Sequence, residues 1–269
     1  MYLMLIENYI KTKVIQINKN IMRSFKTSLN SIFAIAVGAL FCQACTLFDM
    51  DLQKKYDYKP TTLDPHINIS ARKFLENRSY GEIDPKDTIF KWMRKGLEYA
   101  EIDLSEFEKP GRTFIFLHND AVRVRNATSG AITAGLWFNF PIVTSLDPVT
   151  NVPITRPANK WEDYPKQDVR NYFLYLIAQG EYNFADLNAD NKAVPTLLPP
   201  GQVASQISLL GYLNNQTGFD QEGKMNLKLV NNNDMAPIQI NDRTNDRSGG
   251  YIATNGIVHV FGATVYPYR

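Results

Sequence analysis

The chain has 269 residues, 44% of them hydrophobic and 21% charged, with 29 Lys plus Arg against 27 Asp plus Glu. That is enough apolar material for a sizeable core, and neither a basic stripe nor aromatics interleaved with basic residues marks a nucleic-acid surface, so no partner of that kind is expected. Both cysteines, Cys42 and Cys45, sit near the front, so the body of the chain has no disulfides.

The first segment reads as a leader. Arg23 and Lys26 precede an apolar run from Ile32 to Phe41. At about ten residues this is too short for a membrane span, which needs about 20, and suits the h-region of a secretory signal. Met22, directly before Arg23, is a more typical start than Met1. Cys45 follows Ala44, a small residue of the kind a signal peptidase requires, and the pattern resembles a bacterial lipobox, in which the cysteine is lipidated and becomes the mature N-terminus. Cys42 stands where such boxes usually carry Leu, and as a lipidation site itself it fits worse, because it follows bulky Phe41. The plainer reading is that both cysteines are incidental to the signal.

The expected organisation is a leader over 1–44, a lipidated tether over 45–65 and one folded domain over 66–269. Residues 46–269 hold 24 Lys plus Arg and 26 Asp plus Glu, so removal of the leader changes the net charge from +2 to −2. The polar stretch to Pro65 reads as a tether. Asp49 and Asp51 partly match the acidic residues that follow the lipidated cysteine in surface-exported lipoproteins of the Bacteroidetes type. The expected location is the bacterial outer membrane, held by the lipid and exposed at its surface.

Beyond the tether, Ser70 is placed to cap a helix through Glu76. Asp87 and Thr88 precede Ile89, Phe90, Met93, Leu97 and Ala100, whose spacing makes one apolar helix face, with Asp87 as the expected cap. A strand is expected from Thr113 to Leu117 and a helix from Asp168 to Gln179, ended by Gly180. Short strands follow at Val194 to Leu198, Ile207 to Tyr212, Met225 to Val230 and Pro237 to Ile240. Asn255-Gly256 signals a two-residue turn before the strand Ile257 to Phe261. Helices followed by a strand-rich half point to an α+β domain.

Three segments carry a resemblance. Thr113-Phe114-Ile115-Phe116-Leu117-His118-Asn119-Asp120-Ala121-Val122 is similar to the first motif of fasciclin-like adhesion domains, with Leu117 and His118 in place of its usual proline and threonine. The run Asn171 to Tyr182 resembles that family's middle segment at Tyr175, Gly180 and Tyr182, with Leu176 where a histidine is usual. Asn255-Gly256-Ile257-Val258-His259 followed by Pro267 resembles its closing motif. The resemblance spans about Asp64 to Arg269. It implies a wedge of β-sheets with helices at one side. It also implies an adhesion or binding module, without enzymatic activity or cofactor, that contacts protein or polysaccharide. The structural positions it implies are Thr113, Asn119, Ala121, Tyr175, Gly180, Asn255, Gly256 and His259. An alternative is a glycan-binding accessory lipoprotein of a polysaccharide-uptake system.

The stretch from Arg125 to Asp163 is longer than that family's usual connection. Its Trp137, Phe138, Phe140 and Trp161 either stack on sugar rings or dock a partner as exposed rings, or else cover the domain's own core edge. Asp186-Leu187-Asn188-Ala189-Asp190-Asn191 begins like a calcium loop, but Asn191 replaces the required Gly and Leu197 the bidentate Glu, so it reads as a polar turn. Asp87-Thr88-Ile89 also matches a short O-glycosylation pattern. His118, Asp120 and His259 have no nucleophile placed with them by spacing, and His259 reads as a hydrogen-bonded core residue. No catalytic residue and no metal ligand is expected.

Overall fold

The computed structural model describes residues 11, 13–19, 21–23, 64–139, 141–205, 218–233 and 236–268. The chain divides into two units, Met1–Thr62 and Leu63–Arg269. In the first, residues 13–19 are helical, with Val14, Ile15 and Ile17 exposed. The signal-like run, Cys42, Cys45 and the tether as far as residue 63 lie outside the described residues. Among the described residues no helix is long and apolar enough to cross a membrane.

In the second unit, α1 (Ala71–Asn77) starts where the sequence places it, with Ser70 Oγ accepting from Lys73 N at 3.2 Å. It buries Ala71, Phe74 and Leu75. The next helix, α2 (Lys91–Tyr99), buries Met93, Gly96 and Leu97, on the face expected from the spacing. Its start differs from the expectation. Asp87 does not cap it, because the Asp87 carboxylate accepts from Arg78 Nε at 2.7 Å. The cap comes from a distant residue instead: Asn119 Oδ1 accepts from Trp92 N at 3.0 Å, while Asn119 Nδ2 donates to Thr88 O at 2.8 Å. Two further helices are α3 (Asn119–Val122) and α4 (Lys166–Tyr175).

The strands of the first half are β1 (Arg112–Leu117), β2 (Val124–Arg125), β3 (Ile132–Ala134), β4 (Ile142–Leu146), β5 (Pro153–Arg156) and β6 (Ile177–Gln179). Those of the second half are β7 (Lys192–Pro195), β8 (Lys224–Leu229), β9 (Ile238–Ile240), β10 (Thr244–Asn245), β11 (Ser248–Ala253) and β12 (Gly256–Phe261). One four-stranded sheet has the order β11-β12-β1-β6, another the order β10-β9-β8-β7, and β2-β3 and β4-β5 are separate hairpins. Mixed helices and sheets of this kind agree with the α+β class at the level of secondary-structure content.

Strand β1 is the centre of the first sheet. It runs parallel to β12, in a register from Arg112↔Gly256 to Leu117↔Phe261, and antiparallel to β6. On its buried surface Phe116 meets Phe90 at 5.2 Å and Phe74 at 6.1 Å between ring centroids, and Phe114 stacks on Phe107 at 5.5 Å. Rings at these separations contribute packing beyond the area they bury.

Two expectations are displaced. The helix expected to reach Gln179 stops at Tyr175, and residues 177–179 form β6. There, Ile115 N donates to Leu176 O and Gly180 N to Gly111 O, both at 2.9 Å. Pairing with β1 satisfies these buried backbone groups, so the ladder overrides the helical pattern of the side chains. The turn before β12 also lies one residue earlier than its dipeptide signal. Ala253 pairs with Gly256, so Thr254 and Asn255 form the loop and Gly256 belongs to the strand. Gly256 is needed for its closeness to β1, since a Cβ there would collide with Arg112 O. The strand expected from Ile207 to Tyr212 lies outside the described residues.

Candidate functional site

The three segments singled out in the sequence converge on one backbone position. Thr113 is fully buried, and its Oγ1 donates to Gly180 O at 2.9 Å and accepts from Tyr182 N at 2.8 Å. The carbonyl of the same Tyr182 accepts from His259 Nε2 at 2.8 Å, while His259 Nδ1 accepts from Gly250 N at 2.9 Å. This fixes a neutral imidazole with its proton on Nε2. Burial lowers the His259 pKa to about 4.

The remaining motif positions are also held in the framework. Tyr175 OH accepts from Asn241 Nδ2 at 2.7 Å, Ala121 is buried, and Asn255 accepts from Ala71 N and donates to Phe107 O, both at 2.9 Å. His118 is separate from His259. Its Nδ1 accepts from Asp120 N at 3.2 Å and lies 3.1 Å from Asp120 Oδ2, and burial lowers its pKa. In the loop that begins like a calcium site, Asp186 accepts from Asn183 N at 2.8 Å and Asn188 from Asp190 N at 2.8 Å. Both contacts are local turn bonds.

The aromatic insertion packs inward. Trp137, Phe138 and Trp161 are 1%, 3% and 2% exposed. Trp137 lies against Tyr164, Tyr172 and Trp161 with centroids 4.9, 5.0 and 5.2 Å away, and Phe138 lies 5.2 Å from Trp161. Of the two readings offered by the sequence, the packing takes the second: these rings cover the core edge, and their faces are occupied by one another. Phe140 lies outside the described residues.

Covering the core in this way builds a cleft that the sequence reading did not identify. α2 approaches α4 closely at Gly96, where a Cβ would collide with the ring of Phe173. The short helix Trp161–Asp163 then lies beside α2, tied by Trp161 Nε1 donating to Trp92 O at 3.1 Å and by Tyr99 OH donating to Tyr164 O at 2.6 Å. Between them opens a cleft of about 310 Å³, at the lower end of the ~300–1,000 Å³ usual for small-ligand clefts. Trp92, Lys95, Glu98 and Tyr99 line it from α2, and Lys160, Trp161 and Glu162 from the opposite side.

Trp92 is half-buried and is the centre of the cleft's electrostatics. The Arg123 guanidinium lies 3.5 Å from its ring centroid and Lys95 Nζ 5.1 Å, both over the ring. The ring of Phe138 meets its edge at 5.5 Å. Glu98 is committed within the fold, since its carboxylate accepts from Arg94 Nε at 2.8 Å and Tyr80 OH at 2.7 Å. The arrangement offers apolar ring surface beside charged groups that can hydrogen-bond. The signal for it was readable as the spacing of Trp92, Lys95 and Tyr99 along one side of a helix. Its other half, sixty-odd residues further on, carries no such signal.

A second hollow of about 270 Å³ is lined by Phe184, Ala185, Leu187, Asn188, Leu229 and Asn232. The hairpin β4-β5 is apolar toward solvent, with Leu146, Val149, Val152 and Ile154 exposed, Val149 by 91%. No protein-family model and no curated protein matches this chain.

Proposed function

We propose that this chain is an envelope-anchored lipoprotein of the bacterial outer membrane, lipidated at Cys45. Its fasciclin-like domain makes binding contacts with glycan or protein and performs no reaction. The fasciclin-like reading rests on the three motif segments and is supported by their hydrogen bonds through Thr113, Tyr182 and His259. Glycan is the ligand the geometry favours, and the observation that carries it is the cleft along α2. Ring surface from Trp92 and Tyr99 lies there beside Lys95, Lys160 and Glu162. Sugar rings present an apolar face and a rim of hydroxyls, and this lining matches both. The alternative, a glycan-binding accessory lipoprotein of a polysaccharide-uptake system, would use the same cleft. The exposed aliphatic tip of β4-β5 is the surface for a protein contact.

The test is calorimetric titration of the protein with a panel of oligosaccharides, repeated with Trp92→Ala. At least one glycan should bind, and the variant should bind it about ten-fold more weakly, equivalent to ~1.4 kcal/mol. Unchanged far-UV circular dichroism would show the variant to be folded. Glycan binding that Trp92→Ala leaves untouched would remove the cleft from the account.

A further inference from the structure

The cleft's lining carries Lys95 and Lys160 against Glu98 and Glu162, and the way these charges are already paired selects a ligand. Glu98 is neutralised by Arg94, whose Nη1 also lies 3.6 Å from Glu76. Asp163, next to the cleft on the same short helix, is paired with Arg156 at 2.8 Å, a contact that holds its carboxyl down at about 2. The cations are placed otherwise. Among the described residues no carboxylate lies within ion-pair distance of Lys95, Lys160 or Arg123; Lys95 and Arg123 lie over the Trp92 ring, and Lys160 lines the cleft together with Lys95. Burial, and to a lesser extent the neighbouring Arg125, lowers the pKa of Arg123. Glu162 is the one lining carboxylate without such a partner among the described residues.

Resting on the glycan reading above, we infer that the cleft takes an acidic polysaccharide segment, with a sugar ring against Trp92 and its carboxylate or sulfate between the ammonium groups of Lys95 and Lys160. A neutral sugar would leave Lys95 and Lys160 with Glu162 as the one lining carboxylate to offset them. An anionic one supplies the missing counter-charge, and it would displace Lys95 from the ring at little cost. The processed chain as a whole carries 24 Lys plus Arg against 26 Asp plus Glu, so the preference arises locally. A phosphate backbone, which needs a long basic track, is not accommodated.

The experiment is calorimetry on the processed protein with uronate-containing and sulfated hexasaccharides, each beside its carboxyl-reduced or desulfated counterpart. An acidic hexasaccharide should bind at least about ten-fold more tightly than its neutral counterpart, and raising the salt concentration should erase most of the difference. Lys95→Gln and Lys160→Gln should each weaken acidic binding about five-fold and neutral binding by a distinctly smaller factor, while Lys95→Arg should retain acidic binding. Equal affinity for the acidic and neutral forms overturns the inference and leaves the glycan reading intact. Acidic binding indifferent to both Lys→Gln variants overturns the placement in this cleft. Failure of every acidic and neutral saccharide overturns the glycan reading itself. Equally tight binding of a single-stranded octanucleotide overturns the choice of polysaccharide.

Discussion

His259 and Asp246 make a pH prediction whose two halves have opposite signs. His259 has no exposed surface, and burial lowers its pKa from 6.5 to about 4. Asp246 is half-buried, accepts from Ile238 N at 2.9 Å, and has its pKa raised by burial from 3.8 to about 6. A Cβ on Gly249 would lie 2.8 Å from His259 Nδ1 and would collide with Asp246 Oδ2, so the two groups share one site.

As pH falls from 6.5 toward 4, the unfolded chain protonates this imidazole and the folded chain does not. The stability that the neutral histidine contributes is therefore present above pH 6.5 and lost through that window, about 3 kcal/mol at 1.36 kcal/mol per unit. Asp246 acts in reverse. The folded state keeps this proton up to about pH 6 and the unfolded state releases it near 3.8, so its contribution is full below 3.8 and is lost by about pH 6, again about 3 kcal/mol. Between pH 4 and 6 each state holds one proton on the pair, and the two effects cancel.

Single variants should break that cancellation. Asp246→Asn keeps an oxygen for Ile238 N and should become less stable relative to wild type by about 3 kcal/mol between pH 6 and pH 4. His259→Gln should become relatively more stable by a similar amount over pH 6.5 to 4. Urea unfolding followed by tryptophan fluorescence reads both, and differences from wild type remove the contribution of every other titrating group. Differences that stay constant across this range for both variants would refute the assignment of a neutral pair to the folded state.

Other consequences are simpler. Asn119→Ala removes both the distant cap on α2 and the bond to Thr88 O, and should cost about 1–2 kcal/mol in urea unfolding; a loss below a few tenths would show that water replaces the cap. Gly256→Ala forces a Cβ into Arg112 O at the β1-β12 contact and should destabilise by about 3 kcal/mol or more, lowering the melting temperature markedly. A wild-type melting temperature in that variant would mean the two strands separate easily.

Local chemistry made much of the framework legible. Ser70, the run Thr113 to Leu117 and the loop before Gly256 each carry their own signal. Where the sequence misled, a non-local partner decided the outcome. Ile177 and Ala178 continue an apolar helical pattern, yet β1 takes their backbone. Asp87 has the look of a cap, yet Arg78 holds it while Asn119 caps from across the fold. The inward-facing rings of Trp137 and Trp161 could not be told from exposed ones, because that depended on Tyr164 and Tyr172 packing against them. The cleft was hidden for the same reason. It needs Lys160 and Trp161 folded beside α2, and it needs the knowledge that Glu98 is paired while Lys95 is not.

The most direct test of an anchored glycan-binding protein is retention of a fluorescent oligosaccharide, chosen from the binding panel, on intact cells that make wild type, Trp92→Ala or Cys45→Ala. Wild-type cells should retain it. Trp92→Ala cells should lose most of it with the protein still at the surface, and Cys45→Ala cells should lose it because the protein is released. Equal retention by all three would contradict the account, removing both the cleft and the anchor from the function of this chain.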